Sequence, residues 1–447
     1  MNTPLPFRFL TPSGWQTAHC GADADGAIAS LEPVDASASW ALPGIPNTHS
    51  HAFQRAMAGL AERMGDPADS FWTWRELMYR FAARLDPDSQ YAIASQLYAE
   101  MLEAGYTAVC EFHYLHHQPD GTPYADPAAM SRALIAAAAD TGIRMTLLPV
   151  LYMSAGFDGR ALEPRQRRFG HALDDFLALV QSLRADENPR LRIGMALHSL
   201  RAVPETAMPA LLDAIAAEDF PIHIHIAEQV AEVEQCLAVR GARPVRWLLD
   251  HAPVDARWTL VHATHLSDDE VTGIAASGAS VSICPTTEAN LGDGLFPLRD
   301  FLDAGGRFSI GSDSHVSVSP VEELRWLEYG QRLRAQRRNI VASLQQPSTA
   351  AVLLEHAWAS GAQGCGMSLG RLEMAQAADW IVLDAEAPAL AGARDGDVLD
   401  RFVFAGNRSM IERVFVGGER VVEGGRHCRH EAIAREYGKT LRHLLAD

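Results

Sequence analysis

The segment PGIPNTHSHAFQRAM, residues 43–57, closes a short apolar run with prolines and then places His49 and His51 one residue apart. Side chains two residues apart on a β-strand point to the same face, so both imidazoles can face one ion. A single His-x-His pair is weak support for a metal site, because most histidines near strand ends pack or lie at a rim. Whether His49 and His51 belong to a metal site depends on whether other predicted strands also end in residues that can bind a metal.

Short apolar runs alternate with amphipathic stretches along most of the chain. The runs are rich in Val, Ile, Leu and Thr, as expected for buried parallel strands; they lie at 40–47, 107–115, 144–152, 192–200, 221–228, 258–266, 279–287 and 307–315. Eight strand-then-helix units predict an α/β fold, a (β/α)8 TIM barrel. An open doubly wound sheet is the alternative. It normally has fewer units and a phosphate-binding glycine loop, which this sequence lacks.

The two chain ends predict a second, smaller domain. Short β-like pieces fill residues 1–40, and strand-like runs separated by Gly-Gly turns fill 372–427. We expect both ends to pair as a small β-sandwich. Residues 1–45 would be its first part, 46–365 the barrel, and 366–447 its second part plus a C-terminal helix.

Composition and charge narrow the classes of function. The 447 residues are 48% hydrophobic and 21% charged, with a formal net charge of −18. Phosphate binding needs clustered Lys and Arg, so we expect no nucleic-acid partner and no membrane partner. No signal peptide and no apolar span of about 18 residues is visible. Six cysteines without a CxxC pattern are typical of free thiols, so we expect a cytoplasmic protein.

Polar residues cluster where the predicted strands end, which is where a (β/α)8 barrel carries its active site. His49 and His51 follow the first predicted strand. The fifth predicted strand ends in HIHIAE and the eighth in GSDSH, so His225 and Asp313 are two further candidate metal ligands. Three imidazoles and one carboxylate suit Zn²⁺ and leave room for a water, although iron, nickel or manganese fit the same ligands. His223 shares the face of His225, and either could reach the ion. We predict His225, because it lies nearer the strand end.

At these positions the sequence resembles the amidohydrolase superfamily, whose pattern is His-x-His on strand 1, histidines on strands 5 and 6, and an aspartate on strand 8. No lysine ends strand 4, where MALHSLRAV runs, and this favours the mononuclear deaminase branch. The motifs PGIPNTHSHAFQRAMAGLAE, FWTWRELMY and CPTTEANLGDGLFP are similar to those of formimidoylglutamate deiminases. The resemblance implies hydrolysis of N-formimidoyl-L-glutamate to N-formyl-L-glutamate and ammonia, a reaction of histidine degradation.

The resemblance also implies catalytic roles. Asp313 would be both a metal ligand and a base, His262 would orient the attacking water, and Glu228 would protonate the leaving nitrogen. These residue types suit hydrolysis of a C=N bond, which needs a nucleophile at neutral pH and a proton donor. The alternative for Glu228 is a structural carboxylate at a helix N-terminus.

Substrate contacts are expected from the remaining strand ends. Arg75 and Arg201 can each hold a carboxylate, and the implied substrate is a small dicarboxylate. An ordinary surface ion pair is the alternative for either arginine. Gln54 and Tyr114 would hydrogen-bond the substrate, and His198 belongs to the same group of candidates.

Two other functions compete with this interpretation. A related deaminase of an aromatic base, such as guanine, thioadenosine or S-adenosylhomocysteine, would need an apolar stacking pocket. A non-catalytic barrel used for binding should have lost ligands, whereas all are present here. Such barrels commonly pair, so we expect a homodimer. The roles of His223 and His315 stay open.

Overall fold

The structure, a computed structural model, describes residues 5–62, 71–406 and 408–446. The described chain begins with four short strands, β1 (Phe7–Thr11), β2 (Gly14–Ala22), β3 (Ile28–Pro33) and β4 (Trp40–Pro43). Strand β1 pairs antiparallel with β2 and parallel with β4.

A parallel barrel follows directly. Its strands are β5 (Ile45–Ser50), β6 (Tyr106–His113), β7 (Arg144–Leu151), β9 (Met195–Ser199), β10 (Ile222–Ile226), β11 (Trp258–His262), β12 (Ser280–Ile283) and β13 (Arg307–Ile310), while β8 (Leu191–Ile193) pairs beside β7. Every residue of β5, β6 and β7 is buried, which explains why these strands read as continuous apolar runs. A bridge between Ser50 and Asp313 brings the first and last strands together at the carboxyl end. The predicted TIM barrel is confirmed.

Helices connect and cover the strands. Their bounds are α1 (Phe71–Ala82), α2 (Pro87–Ala104), α3 (Ala129–Thr141), α4 (Leu173–Arg184), α5 (Met208–Ile215), α6 (Val230–Arg240), α7 (Pro244–His251), α8 (Asp268–Ser277), α9 (Pro285–Leu291), α10 (Leu298–Asp303), α11 (Pro320–Ala335), α12 (Thr349–Cys365), α13 (Val398–Phe404) and α14 (His430–Leu445). Local sequence fixes the ends of α2, because Asp86 accepts from Ser89 N at 2.8 Å and Gly105 adopts a φ of 101°. Among the described helices, none is both long and apolar enough to cross a bilayer.

The chain ends form the second domain, as predicted. The strands β14 (Trp380–Leu383), β15 (Ile411–Val416), β16 (Glu419–Glu423) and β17 (Arg426–His427) join the first four in the order β17-β16-β15-β14-β4-β1-β2-β3. We call this eight-stranded unit the end sheet. The domain boundaries given above stay a prediction, and residues 1–4, 63–70, 407 and 447 lie outside the described part of the chain.

The apolar run at 40–47 is not one strand. It divides at Gly44, with β4 in the end sheet and β5 in the barrel. A Cβ at Gly44 would lie 2.1 Å from Thr107 Oγ1, so only glycine allows the chain to pass this close to β6. The division carries the chain straight from the end sheet to the site at the end of β5.

A buried ion pair joins the two domains on the side away from the site. Arg144 at the start of β7 donates from Nε to Asp379 Oδ2 at 2.7 Å, and the two side chains are 4% and 3% exposed. Asp379 also accepts from Gly417 N at 2.7 Å. The end sheet is thereby fixed to the barrel by charge as well as by apolar packing.

Candidate active site and metal centre

A cavity of about 830 Å³ opens at the carboxyl end of the barrel strands. Polar side chains from seven strands or the loops after them line it. Of the residues predicted from the sequence, it contains His51, Gln54, Arg75, Tyr114, His198, Arg201, His225, Glu228, His262 and Asp313. His49 lies beneath its floor and is fully buried.

The four predicted metal ligands lie close together, with the three imidazoles in one group and Asp313 beside two of them. His49 Nε2 lies 2.9 Å from His225 Nε2 and 3.5 Å from Asp313 Oδ1, and His51 Nε2 lies 3.3 Å from the same oxygen. Burial lowers the pKa of all three imidazoles, so each is a neutral ring with a lone pair. Neutral imidazole is the form that binds a metal.

Two backbone carbonyls fix which nitrogen of these rings is free. His51 Nδ1 donates to Phe112 O at 2.9 Å, and His225 Nδ1 donates to His198 O at 3.0 Å. The Nε2 atoms of both rings therefore carry lone pairs directed at the same point. Single ligand atoms of His49, His51 and His225 lie within 4.8 Å of one another, so this donor set fits a bound metal ion.

Unusual backbone conformations direct the side chains at three strand ends. Ala227, His262 and Asp313 have φ angles of 51°, 68° and 46°, in the left-handed region that residues other than glycine rarely adopt. Such conformations cost about 1–3 kcal/mol each and are concentrated at functional sites. Here they turn the chain so that His262 and Asp313 face the cavity.

Beside the ligand cluster lies a group of carboxylates around His262. Its Nε2 is 3.9 Å from Glu228 Oε1 and 3.8 Å from Asp313 Oδ2, and its Nδ1 is 3.3 Å from Glu288 Oε1. Burial opposes a charge on the ring, but Glu228, Asp313 and Glu288 together raise the pKa of His262 to about 10. Removal from water raises the pKa of Glu228 to about 7. The site thus places a proton-holding carboxyl within reach of the cavity.

The predicted substrate residues lie around the cavity wall. Gln54 Nε2 donates to Tyr114 OH at 3.0 Å, and Gln54 Oε1 is buried with no hydrogen-bond partner among the described residues. The His198 ring lies 5.2 Å from the His225 ring, while its carbonyl fixes the orientation of His225. Arg75 and Arg201 both line the cavity, which brings two guanidinium groups to one small site.

The two histidines with open roles lie in supporting positions. His223 is fully buried, one layer below the ligands, and its Nε2 donates to Gly364 O at 2.9 Å. His315 Nε2 accepts from His51 N at 3.2 Å, and its Nδ1 is 3.0 Å from Ser312 Oγ. His315 therefore ties the loop after β13 to the loop that carries His51.

Comparison with known proteins agrees with this arrangement. The model of the amidohydrolase family matches residues 40–421. The chain belongs to the amidohydrolase family. This amidohydrolase is 51% identical over 447 residues to the formimidoylglutamate deiminase of Pseudomonas aeruginosa, with 98% of both chains covered. A 5-methylthioadenosine/S-adenosylhomocysteine deaminase of Natronomonas pharaonis is 27% identical over 396 residues, covering 87% of this chain and 83% of the relative. The crystal structure of an amidohydrolase from Brucella melitensis has a TM-score of 0.91 and 45% identity, with 99% of both chains covered.

Sequence reasoning missed several residues at the amidohydrolase site. The cavity is also lined by Trp74, Met78, Ser199, Gln229, Glu232, Gln235, Thr287 and Leu291. Residues 229–235 form the start of α6, beyond the end of β10. Their position in a helix gave no sign in the sequence that they face the cavity. Glu288 was missed for a related reason, since it lies one helical turn beyond β12 in the motif CPTTEANLGDG.

Proposed function

We propose that the protein is a metal-dependent formimidoylglutamate deiminase, which hydrolyses N-formimidoyl-L-glutamate to N-formyl-L-glutamate and ammonia. The observation that carries the proposal is that His49, His51 and His225 lie together beside Asp313 at the floor of one cavity. The wall of the same cavity holds the Glu228 carboxyl and two arginines. A relative with this activity that is 51% identical along the whole chain supports it.

The metal would be held by His49, His51, His225 and Asp313. Three nitrogens and one oxygen are typical of Zn²⁺, and we propose one zinc ion per chain. When bound, such an ion supplies Lewis acidity that lowers the pKa of water to about 7.

The chain's own groups would move the protons. Asp313 Oδ2 faces the cavity beside His262 Nε2 and would accept a proton from the attacking water. His262, held between carboxylates, would orient that water and offset the negative charge that develops as it adds to the formimidoyl carbon. Glu228 can hold a proton near neutral pH and would donate it to the terminal nitrogen, so that ammonia leaves.

The arginines would set the substrate class. We propose that Arg75 and Arg201 bind the two carboxylates of a glutamate-derived substrate, because planar guanidinium groups pair with carboxylates through two hydrogen bonds. Gln54 and Tyr114 already form a hydrogen-bonded pair on the cavity wall and would contact the formimidoyl group. His198 would complete the wall beside His225.

A deaminase of an aromatic base is the second candidate. Its support is the match to S-adenosylhomocysteine-type deaminases, which at 27% identity is much weaker than the full-length match to the deiminase. A cavity with Arg75, Arg201 and Glu232 in its wall is also too charged for the apolar stacking of a purine.

We further propose a cytoplasmic homodimer that acts in histidine degradation. The exposed apolar side chains of α11 support pairing, since Trp326, Tyr329 and Leu333 lie on one helix face and are 47%, 39% and 77% exposed. Analytical ultracentrifugation would test the dimer, and a single species of 48.7 kDa would contradict it.

A substrate panel tests the proposed activity. Zinc-loaded protein should release ammonia from N-formimidoyl-L-glutamate, with kcat/KM at least about a thousandfold above those for guanine and S-adenosylhomocysteine, because these two compounds do not offer the two carboxylates that Arg75 and Arg201 would bind. Protein whose zinc has been removed is the control. Faster release from either purine compound would support the second candidate instead.

A further inference from the structure

Glu288 is a buried carboxylate that contacts the catalytic group without lining the cavity. Its Oε1 accepts from Cys284 N at 2.9 Å and lies 3.3 Å from His262 Nδ1, and the residue is 4% exposed. The oxygen therefore lies between the backbone at the end of β12 and the imidazole at the end of β11. The sequence assigned no role to this residue, and the proposed mechanism does not use it.

The backbone holds Glu288 firmly in this position. It lies in the first turn of α9, where its N–H donates to Cys284 O at 2.9 Å and its carbonyl accepts from Asp293 N at 2.9 Å. Its side chain folds back over the start of the helix to reach Cys284 N. Two backbone hydrogen bonds thus hold the residue in the helix, and a third, from Cys284 N, holds its carboxylate beside the imidazole of His262.

The hydrogen bond to Glu288 also determines which nitrogen of His262 faces the reaction. The Glu288 carboxylate accepts a hydrogen bond from Nδ1–H of His262. The Nε2 atom on the other side of the ring therefore faces Glu228 and Asp313, which are 3.9 and 3.8 Å away. His262 needs such a support, because its φ of 68° is strained and its ring has no other hydrogen bond among the described residues.

We infer that Glu288 is the positioning residue for His262, which fixes the ring so that Nε2 faces the attacking water. This inference rests on the proposed function, because it assigns Glu288 a place in the same reaction. Glu288 acts through the imidazole and does not touch the substrate.

A second metal ion is the competing explanation for the same atoms. Single ligand atoms of His262, Cys284 and Glu288 lie within 4.8 Å of one another. However, burial raises the pKa of the Cys284 thiol well above its usual value, which disfavours the thiolate a metal needs. The hydrogen bonds of Glu288 Oε1 already account for its position.

Substitution of Glu288 tests the inference through kcat and KM separately. E288A should lower kcat about 10–100-fold, the usual effect of losing a partner that orients a site residue, and should leave KM within about twofold. E288Q keeps an oxygen at the same place and should retain more activity than E288A. The matched control is E323Q. Glu323 lies in α11 and is a fully buried carboxylate that accepts from Thr286 N of α9 at 2.9 Å, and it has no recorded hydrogen bond or ion pair with His262 among the described residues. E323Q should keep the wild-type kcat.

A double mutant separates positioning from general damage to the fold. If Glu288 acts through His262, E288A should cause no further loss of kcat in an H262Q background. An equal loss in both backgrounds, or a wild-type kcat in E288A, would overturn the inference. Metal analysis adds a readout other than activity: E288Q and wild type should each bind one zinc per chain, and loss of a second ion from E288Q would favour the metal explanation. Inactive wild-type protein would instead contradict the proposed function.

Discussion

The buried pair between Arg144 and Asp379 allows the sharpest stability prediction. Besides the ion pair, Arg144 donates from Nη1 to Pro189 O at 2.7 Å and from Nη2 to Gly26 O at 3.1 Å. Asp379 accepts from Gly417 N at 2.7 Å. Three backbone groups from separate segments therefore depend on this pair. We consider R144M, D379L and the double variant.

The structure sets the expected magnitudes. Each single substitution leaves one charge buried without its partner, which costs about 3–5 kcal/mol of unfolding free energy. The double variant removes both charges and leaves three backbone groups, Gly417 N–H, Pro189 O and Gly26 O, without partners. At about 1 kcal/mol each, that loss is about 3 kcal/mol. The double variant should thus be no less stable than either single variant, whereas independent effects would add to about 6–10 kcal/mol.

Urea unfolding followed by tryptophan fluorescence measures these differences. Trp380, the first residue of β14, is next to Asp379 in the chain and reports unfolding at this place. The control is the pair of Arg8 and Asp395, whose side chains are 34% and 40% exposed. R8M should cost no more than about 1 kcal/mol, as is usual for exposed pairs. Additive losses in the double variant, or a loss below about 1 kcal/mol for R144M, would refute the reasoning.

Three further predictions concern the site and its surroundings. E228Q should lower kcat about 10²–10⁴-fold with zinc still bound, because it removes the proposed proton donor. Steady-state kinetics and metal analysis measure this, and an unchanged kcat would exclude that role. R201M should raise KM for the dicarboxylate substrate about 10–100-fold by removing a charge-assisted pair, and an unchanged KM would exclude the carboxylate contact. Burial lowers the pKa of His113 to about 3 and of His171 to about 4 in the folded protein. Both rings therefore stay neutral in the folded protein at pH 5, whereas the same histidines in the unfolded chain gain protons below about pH 6.5. Stability should therefore fall as pH falls, by about 2 kcal/mol per histidine between pH 6.5 and 5, and H171Q should reduce that slope in urea titrations at each pH.

The barrel and the proximity of the proposed metal ligands were predictable because both depend on simple geometry. Parallel strands buried on both faces read as apolar runs, and eight of them alternate with helices. In such a barrel the carboxyl ends of the strands meet, so polar residues that end different runs must lie close together. This rule holds for the four proposed metal ligands, which lie close together in the structure: His49, His51, His225 and Asp313.

Features that depend on tertiary contacts were not predictable. The division of the first run at Gly44 depends on Thr107, which is distant in sequence and approaches from β6. The left-handed backbone of His262 has no signature in the sequence, because histidine seldom adopts it. Glu288 reads as an ordinary helical glutamate until the fold places the end of β11 beside it.

The identity of the products tests the central claim most directly. The formimidoyl carbon has two C–N bonds, and under the proposed mechanism the position of Glu228 decides which nitrogen leaves. With N-formimidoyl-L-glutamate labelled with ¹³C at that carbon and zinc-loaded protein, ¹³C NMR should show N-formyl-L-glutamate, with one ammonia released per molecule. Labelled formamide together with free glutamate, or no turnover by protein that has bound zinc, would contradict the proposed function.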